Sequence, residues 1–123
     1  MARAFAEISF TPSVLELQNR NGSADSYAKF LDPDAERGDQ IGPAEAEFLS
    51  LRDGFYQATV SDKGWPYVQF RGGPVGFVKV IDQASIAYAD FRGNRQYLSA
   101  GNLNDNDRMS LIFMDYPNRR RLK

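Results

Sequence analysis

The sequence of 123 residues contains neither cysteine nor histidine. Without cysteine, the chain can form no disulfide and offers no thiolate, which fits a reducing compartment and predicts a cytoplasmic protein. Without histidine, it has no imidazole metal ligand and no Ser-His or Cys-His catalytic pair. The two absences exclude several common catalytic centres and metal sites.

Long apolar runs and a strong net charge are also lacking. No stretch is long or apolar enough to span a membrane, and the N-terminus has no secretory apolar segment. The formal net charge of −1 provides no overall field that would attract nucleic acid. We therefore expect neither a membrane nor a nucleic acid as a partner.

Aromatic residues are well represented, with nine Phe, six Tyr and one Trp. Apolar residues make up 42% and charged residues 25% of the chain, which is ordinary for a soluble globular protein. A chain of this length suits a single domain with a modest core. The aromatic residues are sufficient for a β-rich core or for an aromatic-lined pocket.

Residues 1–54 are polar and favour short helices, so we predict an N-terminal helical segment that packs on the rest of the chain. Thr11-Pro12 is a typical helix start, because proline suits the first turn. A second short helix is predicted around Asp25 to Leu31. The clearest helix begins at Pro43, in "PAEAEFLSLRDG", where acidic residues in the first turns are favoured by the helix dipole.

From Phe55 onward, apolar and polar residues alternate with the period of a β-strand. Hairpin turns are predicted at Asp62 to Gly64 and at Asp82 to Ala84, and a short helix with a polar loop precedes the last long strand. The strand segments are "FYQATVSD", "WPYVQF", "FVKVID", "SIAYADF" and "RMSLIFMD". Residues 55–123 are therefore predicted to form a mainly β, antiparallel domain with short flanking helices.

The closing "NRRRLK" has the pattern of the start of a strand. It allows two interpretations, an edge strand or a domain that lacks its C-terminal portion in this chain. A basic cluster can also bind nucleic-acid phosphates, but one short cluster on a nearly neutral chain favours a solvated strand or a dimer edge.

Three aspartates, Asp105, Asp107 and Asp115, raise the question of a metal site. Their spacing is irregular and lacks the glycine and the closing glutamate of a calcium loop. Loop formation by Asn and Asp explains them better, and no metal is predicted.

Cations, amides and glycines are interleaved in two stretches, residues 71–79 and 93–102. Glycines let backbone N–H groups approach an anion closely, and arginine or lysine supplies the counter-charge. The polar members are Arg71, Lys79, Asn94, Arg95, Ser99 and Asn102. A phosphate site is one interpretation and simple turns with solvated charges are the other, which spacing alone favours. No Walker A loop or G-x-G-x-x-G motif is present.

A resemblance to a known family is carried by four ordered segments, "VSDKGWPYVQFRGG", "GFVKVID", "YADFRGNRQYLSAGNL" and "NDRMSLIFMDY". Together they resemble the flavin-binding split-barrel family related to pyridoxamine 5′-phosphate oxidase, in particular its bacterial branch with a Gly-Gly-Pro insertion. The resemblance covers about residues 48–123. It implies a six-stranded antiparallel split β-barrel, a homodimer, and FMN in a groove at the subunit interface.

The resemblance also places individual residues at the cofactor. Lys79 stands where the family's strand lysine contacts the FMN phosphate, and Arg71 replaces the arginine that precedes that lysine. Asn94 and Arg95 occupy the positions of the family's Arg-Lys pair, of which Arg95 keeps the charge. The remaining positions are Tyr88 and Ala89 at the border of the cofactor, Ser99 and Asn102 as phosphate or ribityl partners, and Gln69 and Phe70 along the flavin ring.

Two further expectations concern the glycines and the activity. Gly72, Gly73 and Gly76 are expected to widen the sheet beside the cofactor, so that main-chain amides face the flavin or its phosphate. The family's vitamin B6 contacts, which include a histidine, lie in a C-terminal segment that this chain does not contain. The resemblance therefore implies an FMN-dependent oxidoreductase for an unidentified small-molecule substrate, with a non-catalytic flavin-binding or interaction module as the alternative.

Overall fold

The structure is a computed structural model that describes residues 2–123. The chain forms two compact units, a first that ends at Ile41 and a second of Gly42–Lys123. The sequence predicted a different division, into a helical segment of residues 1–54 and a barrel of residues 55–123. That division follows secondary structure rather than compactness, and it stays a prediction.

Five helices and six strands are formed by residues 2–123. The helices are α1 (Arg3–Ser9), α2 (Pro12–Arg20), α3 (Ala24–Ala28), α4 (Pro43–Ser50) and α5 (Leu98–Asp105). The strands are β1 (Gly54–Val60), β2 (Pro66–Gly72), β3 (Lys79–Asp82), β4 (Ser85–Ala87), β5 (Ser110–Asp115) and β6 (Arg120–Leu122). The predicted helices are confirmed, whereas the sequence pattern did not predict α1. Within these residues, no helix has the length and apolar character needed to cross a membrane.

The first unit is held together locally. The helix α2 begins at Pro12, and the Thr11 hydroxyl accepts a hydrogen bond from the Val14 N–H at 3.4 Å, which satisfies one of the free donors of the first turn. The rings of Phe10 and Tyr27 meet edge to face at 5.9 Å, which links the end of α1 to α3.

The strands of the second unit pair antiparallel throughout. Four of them form a sheet in the order β2-β1-β5-β6, and β3 pairs with β4 as a separate hairpin. The prediction of an antiparallel, sheet-rich domain with flanking helices is confirmed. The backbone pairing within residues 2–123 does not close these strands into a barrel.

The register of β1 and β2 determines which side chains share the inner face of the sheet. Along β1, Phe55, Gln57 and Thr59 are buried, and the residues between them are more exposed. Their partners on β2 are Arg71, Gln69 and Tyr67, in that order. Because side chains alternate between the two faces of a strand, these six side chains lie on one face.

An aromatic core covers one end of this inner face. The ring of Phe55 stacks on Phe113 with centroids 4.7 Å apart and meets Tyr88 edge to face at 4.9 Å. Phe48 and Leu49 of α4 belong to the same buried cluster. The helix α4 is therefore part of the core of the second unit.

The end of α4 is fixed to β5 through Arg52. Its guanidinium donates to the Met114 carbonyl at 3.2 Å and lies 3.6 Å from the Asp115 carboxylate. Hydrogen bonds from Asn118, together with the charge of Arg52, hold the pKa of Asp115 below its usual value. Asp115 thus serves a turn and an ion pair.

The glycine-rich segment between β2 and β3 packs against the end of α4. The N–H of Gly73 donates to the Asp53 carbonyl, and the N–H of Gly76 donates to the Arg52 carbonyl, both at 2.9 Å. Gly76 has a φ of +74°, and a Cβ there would lie 2.9 Å from the Ser50 carbonyl oxygen. The interpretation that these amides face a ligand is wrong for Gly73 and Gly76, because the protein backbone already accepts both hydrogen bonds.

The basic segment at the end of the chain is a strand, as predicted. β6 pairs antiparallel with β5 and lies at the edge of the four-stranded sheet. The interpretation as an edge strand is confirmed. The further expectation of a missing C-terminal portion stays a prediction.

Candidate functional site

A cavity of about 240 Å³ lies in the second unit, between the inner face of β2 and the segment that leads into α5. Its lining consists of Tyr67, Gln69 and Arg71 of β2 and of the continuous segment 90–100. The three β2 residues point the same way because they alternate along the strand. One short strand, one loop and the first turn of α5 therefore supply the lining.

The loop part of the lining has an unusual backbone. Gly93 has a positive φ of 49°, and two residues that are not glycine, Arg95 and Tyr97, have φ values of 64° and 55°. The Asn94 side chain accepts a hydrogen bond from the Gln96 N–H at 3.1 Å, which supports the turn. A left-handed conformation at a non-glycine residue costs on the order of 1–3 kcal/mol and is concentrated at functional sites.

Two side-chain hydrogen bonds fix α5 on the sheet. Ser99 donates to the Gln69 side-chain oxygen, and Asn102 donates to the Thr59 hydroxyl, both at 3.0 Å. Thr59 and Ser99 are buried, so these bonds satisfy polar groups that water cannot reach. They hold the first turn of α5, whose N–H groups have no intrahelical partner, at the cavity wall.

The cavity carries an excess of positive charge. It is lined by Arg71, Arg92 and Arg95 and by one carboxylate, Asp90. Arg71 donates to Asp90 at 2.6 Å, but its Nε is buried and has no hydrogen-bond partner within residues 2–123. Arg92 and Arg95 form no ion pair with any residue that the structure describes. The arrangement is suited to an anionic group.

The ring of Tyr88 contacts the Arg71 guanidinium. The Arg71 guanidinium lies 5.7 Å from the centre of the Tyr88 ring, and the Tyr88 hydroxyl donates to the Gln57 side-chain oxygen at 2.7 Å. Burial raises the pKa of Tyr88, and the charge of Arg71 opposes that shift. The hydroxyl is therefore protonated at neutral pH and is available as a donor to Gln57.

Ten residues were placed at the cofactor from the sequence, and half of them line this cavity. Gln69, Arg71, Asn94, Arg95 and Ser99 line it. Outside the lining are Phe70, Lys79, Tyr88, Ala89 and Asn102. The roles of both groups toward a cofactor stay predictions.

Local contacts explain why some of these side chains lie elsewhere. Phe70 is on the opposite face of β2, where its ring meets Tyr56 at 5.3 Å. The Lys79 ammonium donates to the Gly76 carbonyl at 2.7 Å. Asn102 is engaged with Thr59, as described above.

Other lining residues were not identified from the sequence. Tyr67 could have been found by extending the strand alternation from Gln69 and Arg71 by one step. Arg92 is visible as a third cation beside Gly93. Asp90 and Tyr97 carry no sequence signal of their own, because their place in the lining depends on how the loop folds.

The comparisons with known proteins bear on this same part of the chain. A family model described as pyridoxamine 5′-phosphate oxidase matches residues 41–123, which include the whole cavity lining and more than half of the chain. Neither the curated proteins nor the solved structures contain a match to the chain. The matched family suggests a flavin-binding protein. The chain belongs to the pyridoxamine 5′-phosphate oxidase-like family.

Proposed function

We propose that the second unit binds FMN, with the FMN phosphate in the cavity between β2 and α5. The observation that carries this proposal is the group of three arginines at one cavity, among them Arg71 with a buried, unpartnered Nε. A buried donor without a partner is costly unless a ligand completes its hydrogen bonds. A phosphate supplies the charge and the acceptors that these guanidiniums lack.

Different lining residues contact different parts of the proposed ligand. Arg71 and Arg95 provide the counter-charge, Asn94 and Ser99 provide neutral polar groups, and Gln69 borders the ribityl chain or ring. At about 240 Å³ the cavity is smaller than the roughly 300–1,000 Å³ of pockets that enclose a whole ligand. It therefore accommodates the phosphate end, and the flavin ring extends beyond it. Roles for Lys79, Phe70, Tyr88, Ala89 and Asn102 are proposed only from the family.

The family resemblance implies a homodimer, and a second observation supports one: the apolar outer face of the sheet, which lies opposite the cavity. The outer face of the sheet exposes Tyr56, Val68 and Phe70 and has no covering element within residues 42–123. We propose that this face contributes to a homodimer, in which each apolar face is buried against the other. We also infer that the four-stranded sheet and the β3–β4 hairpin are the two parts of a split barrel. Phe55 supports this, since it packs on Phe77 and Tyr88 of the hairpin segment.

The proposed activity is that of an FMN-dependent oxidoreductase for a small molecule. A bound flavin supplies the redox chemistry, and the protein supplies position and electrostatics. Turnover of a reductant or a substrate by the FMN-loaded protein is the measurement that separates an enzyme from a flavin-binding module without activity. The Gly-Gly-Pro branch of the family and the cytoplasmic location stay predictions.

The phosphate contact is tested by comparing FMN with riboflavin, which has the same ring but no phosphate. Arg95→Ala is expected to weaken FMN binding about ten- to hundredfold, the equivalent of about 1.5–3 kcal/mol for a charged hydrogen bond. Riboflavin affinity should stay unchanged. Flavin fluorescence titration measures both, and Lys63→Ala, in the β1–β2 turn outside the cavity, is the control for loss of a cation.

Two outcomes would contradict the assignment of Arg95. Unchanged FMN affinity would remove it from the site, and equal losses for both flavins would indicate damage to the fold. Lys79→Ala belongs in the same titration. It is expected to weaken only FMN binding if the role implied by the family applies, even though its ammonium donates to the Gly76 carbonyl.

A further inference from the structure

The side chain of Tyr97 buries little of its surface against its own chain. Its backbone φ is 55°, a conformation that glycine adopts readily and that other residues adopt at a cost. The residue is 60% exposed and lies at the N-terminal end of α5, in the lining of the cavity. A glycine would adopt this backbone more readily, so packing within this chain does not explain the tyrosine ring.

The surroundings of Tyr97 indicate what the ring contacts. The same cavity wall contains Arg71 and Arg95, which are suited to an anion, and α5 begins directly after Tyr97. An exposed aromatic ring in the lining of an anion site is placed to stack on an aromatic ligand whose phosphate the arginines hold. Offset stacking between aromatic rings is a favourable contact in addition to the burial of apolar surface.

We propose that Tyr97 binds the aromatic ring system of the ligand whose phosphate the cavity holds. This inference rests on the proposed function and deepens it, because it assigns the ring and the phosphate to different residues. The arginines select for the phosphate, and Tyr97 selects for a planar aromatic group attached to it. The site as a whole then discriminates in favour of a phosphorylated aromatic heterocycle over inorganic phosphate.

The test uses three probes: FMN, riboflavin and inorganic phosphate. Tyr97→Gly removes the ring and relieves the backbone, so the ligand-free protein is expected to keep or raise its thermal midpoint. FMN and riboflavin affinities should both fall about three- to tenfold, whereas phosphate affinity should stay the same. Tyr97→Phe should restore both flavin affinities, because stacking needs the ring and not the hydroxyl.

Trp65→Ala is the matched control, since Trp65 is an aromatic residue that is 75% exposed and lies outside the cavity lining. It should leave all three affinities unchanged. Calorimetric titration measures the affinities, and light scattering of the same samples reports the oligomeric state.

Each contrary outcome overturns either the role of Tyr97 alone or the proposed function as well. Full FMN affinity in Tyr97→Gly overturns the role of Tyr97 and leaves the proposed function standing. An equal loss of phosphate affinity means that Tyr97 only shapes the loop, which also overturns the role. A smaller assembly with unchanged FMN affinity assigns Tyr97 to a subunit contact instead. A wild-type protein that binds no FMN overturns both the inference and the proposed function.

Discussion

Gln57 is a polar residue in the centre of the sheet, with only 1% of its surface exposed. Its side-chain oxygen accepts the hydrogen bond from Tyr88, and loss of that donor leaves a buried acceptor without a partner. We expect Tyr88→Phe to lower the free energy of unfolding by about 1–3 kcal/mol, measured by urea denaturation. The control is Tyr116→Phe, because the Tyr116 hydroxyl is 3.4 Å from Tyr56 in an exposed position. It should change stability by no more than about 0.5 kcal/mol, and equal losses in both variants would refute this role of Tyr88.

At the scale of elements, the segment between β2 and β3 is tied to α4 at Gly76. A methyl group there would meet the Ser50 carbonyl oxygen, a backbone atom that cannot rotate away, and the φ of +74° adds strain. We expect Gly76→Ala to cost roughly 1–3 kcal/mol of stability in the same denaturation experiment. Gly101→Ala is the matched substitution, since it lies inside α5 with no atom within 4 Å of the new methyl group. It should stabilise the protein by about 0.4–1 kcal/mol, and a stable Gly76→Ala variant would show that the segment can move away from α4.

At the scale of the whole molecule, the proposed dimer depends on the outer face of the sheet. Val68 is 61% exposed on that face, and a glutamate there would be buried in the proposed interface. We expect Val68→Glu to weaken self-association at least about tenfold and to shift the protein to monomers in light scattering, because one uncompensated buried charge costs more than 1.4 kcal/mol. Ile81→Glu, at a position in β3 that is 64% exposed, should leave the assembly unchanged. A monomeric wild type, or a dimeric Val68→Glu variant, would contradict the assignment of this face.

The sequence by itself determined the local elements of this protein. Thr11-Pro12 starts a helix and Asp82 to Ala84 turns a hairpin, because each depends on bonds between residues close in the chain. The alternation from Phe55 predicts a strand because the two-residue period of side chains is a local property, although the pairing of that strand is not. The order of motifs also determined the family, since matching a family requires only the sequence.

Only the tertiary structure decided which of these residues meet. Arg71 and Arg95 share a cavity because β2 and the loop before α5 converge, and Ser99 holds that arrangement through Gln69. Lys79 looked equivalent to them in the sequence, but its side chain bonds to the nearby Gly76 carbonyl. The physical reason is that the convergence of side chains depends on strand register and on loop conformations with positive φ, which arise from contacts between residues far apart in the chain.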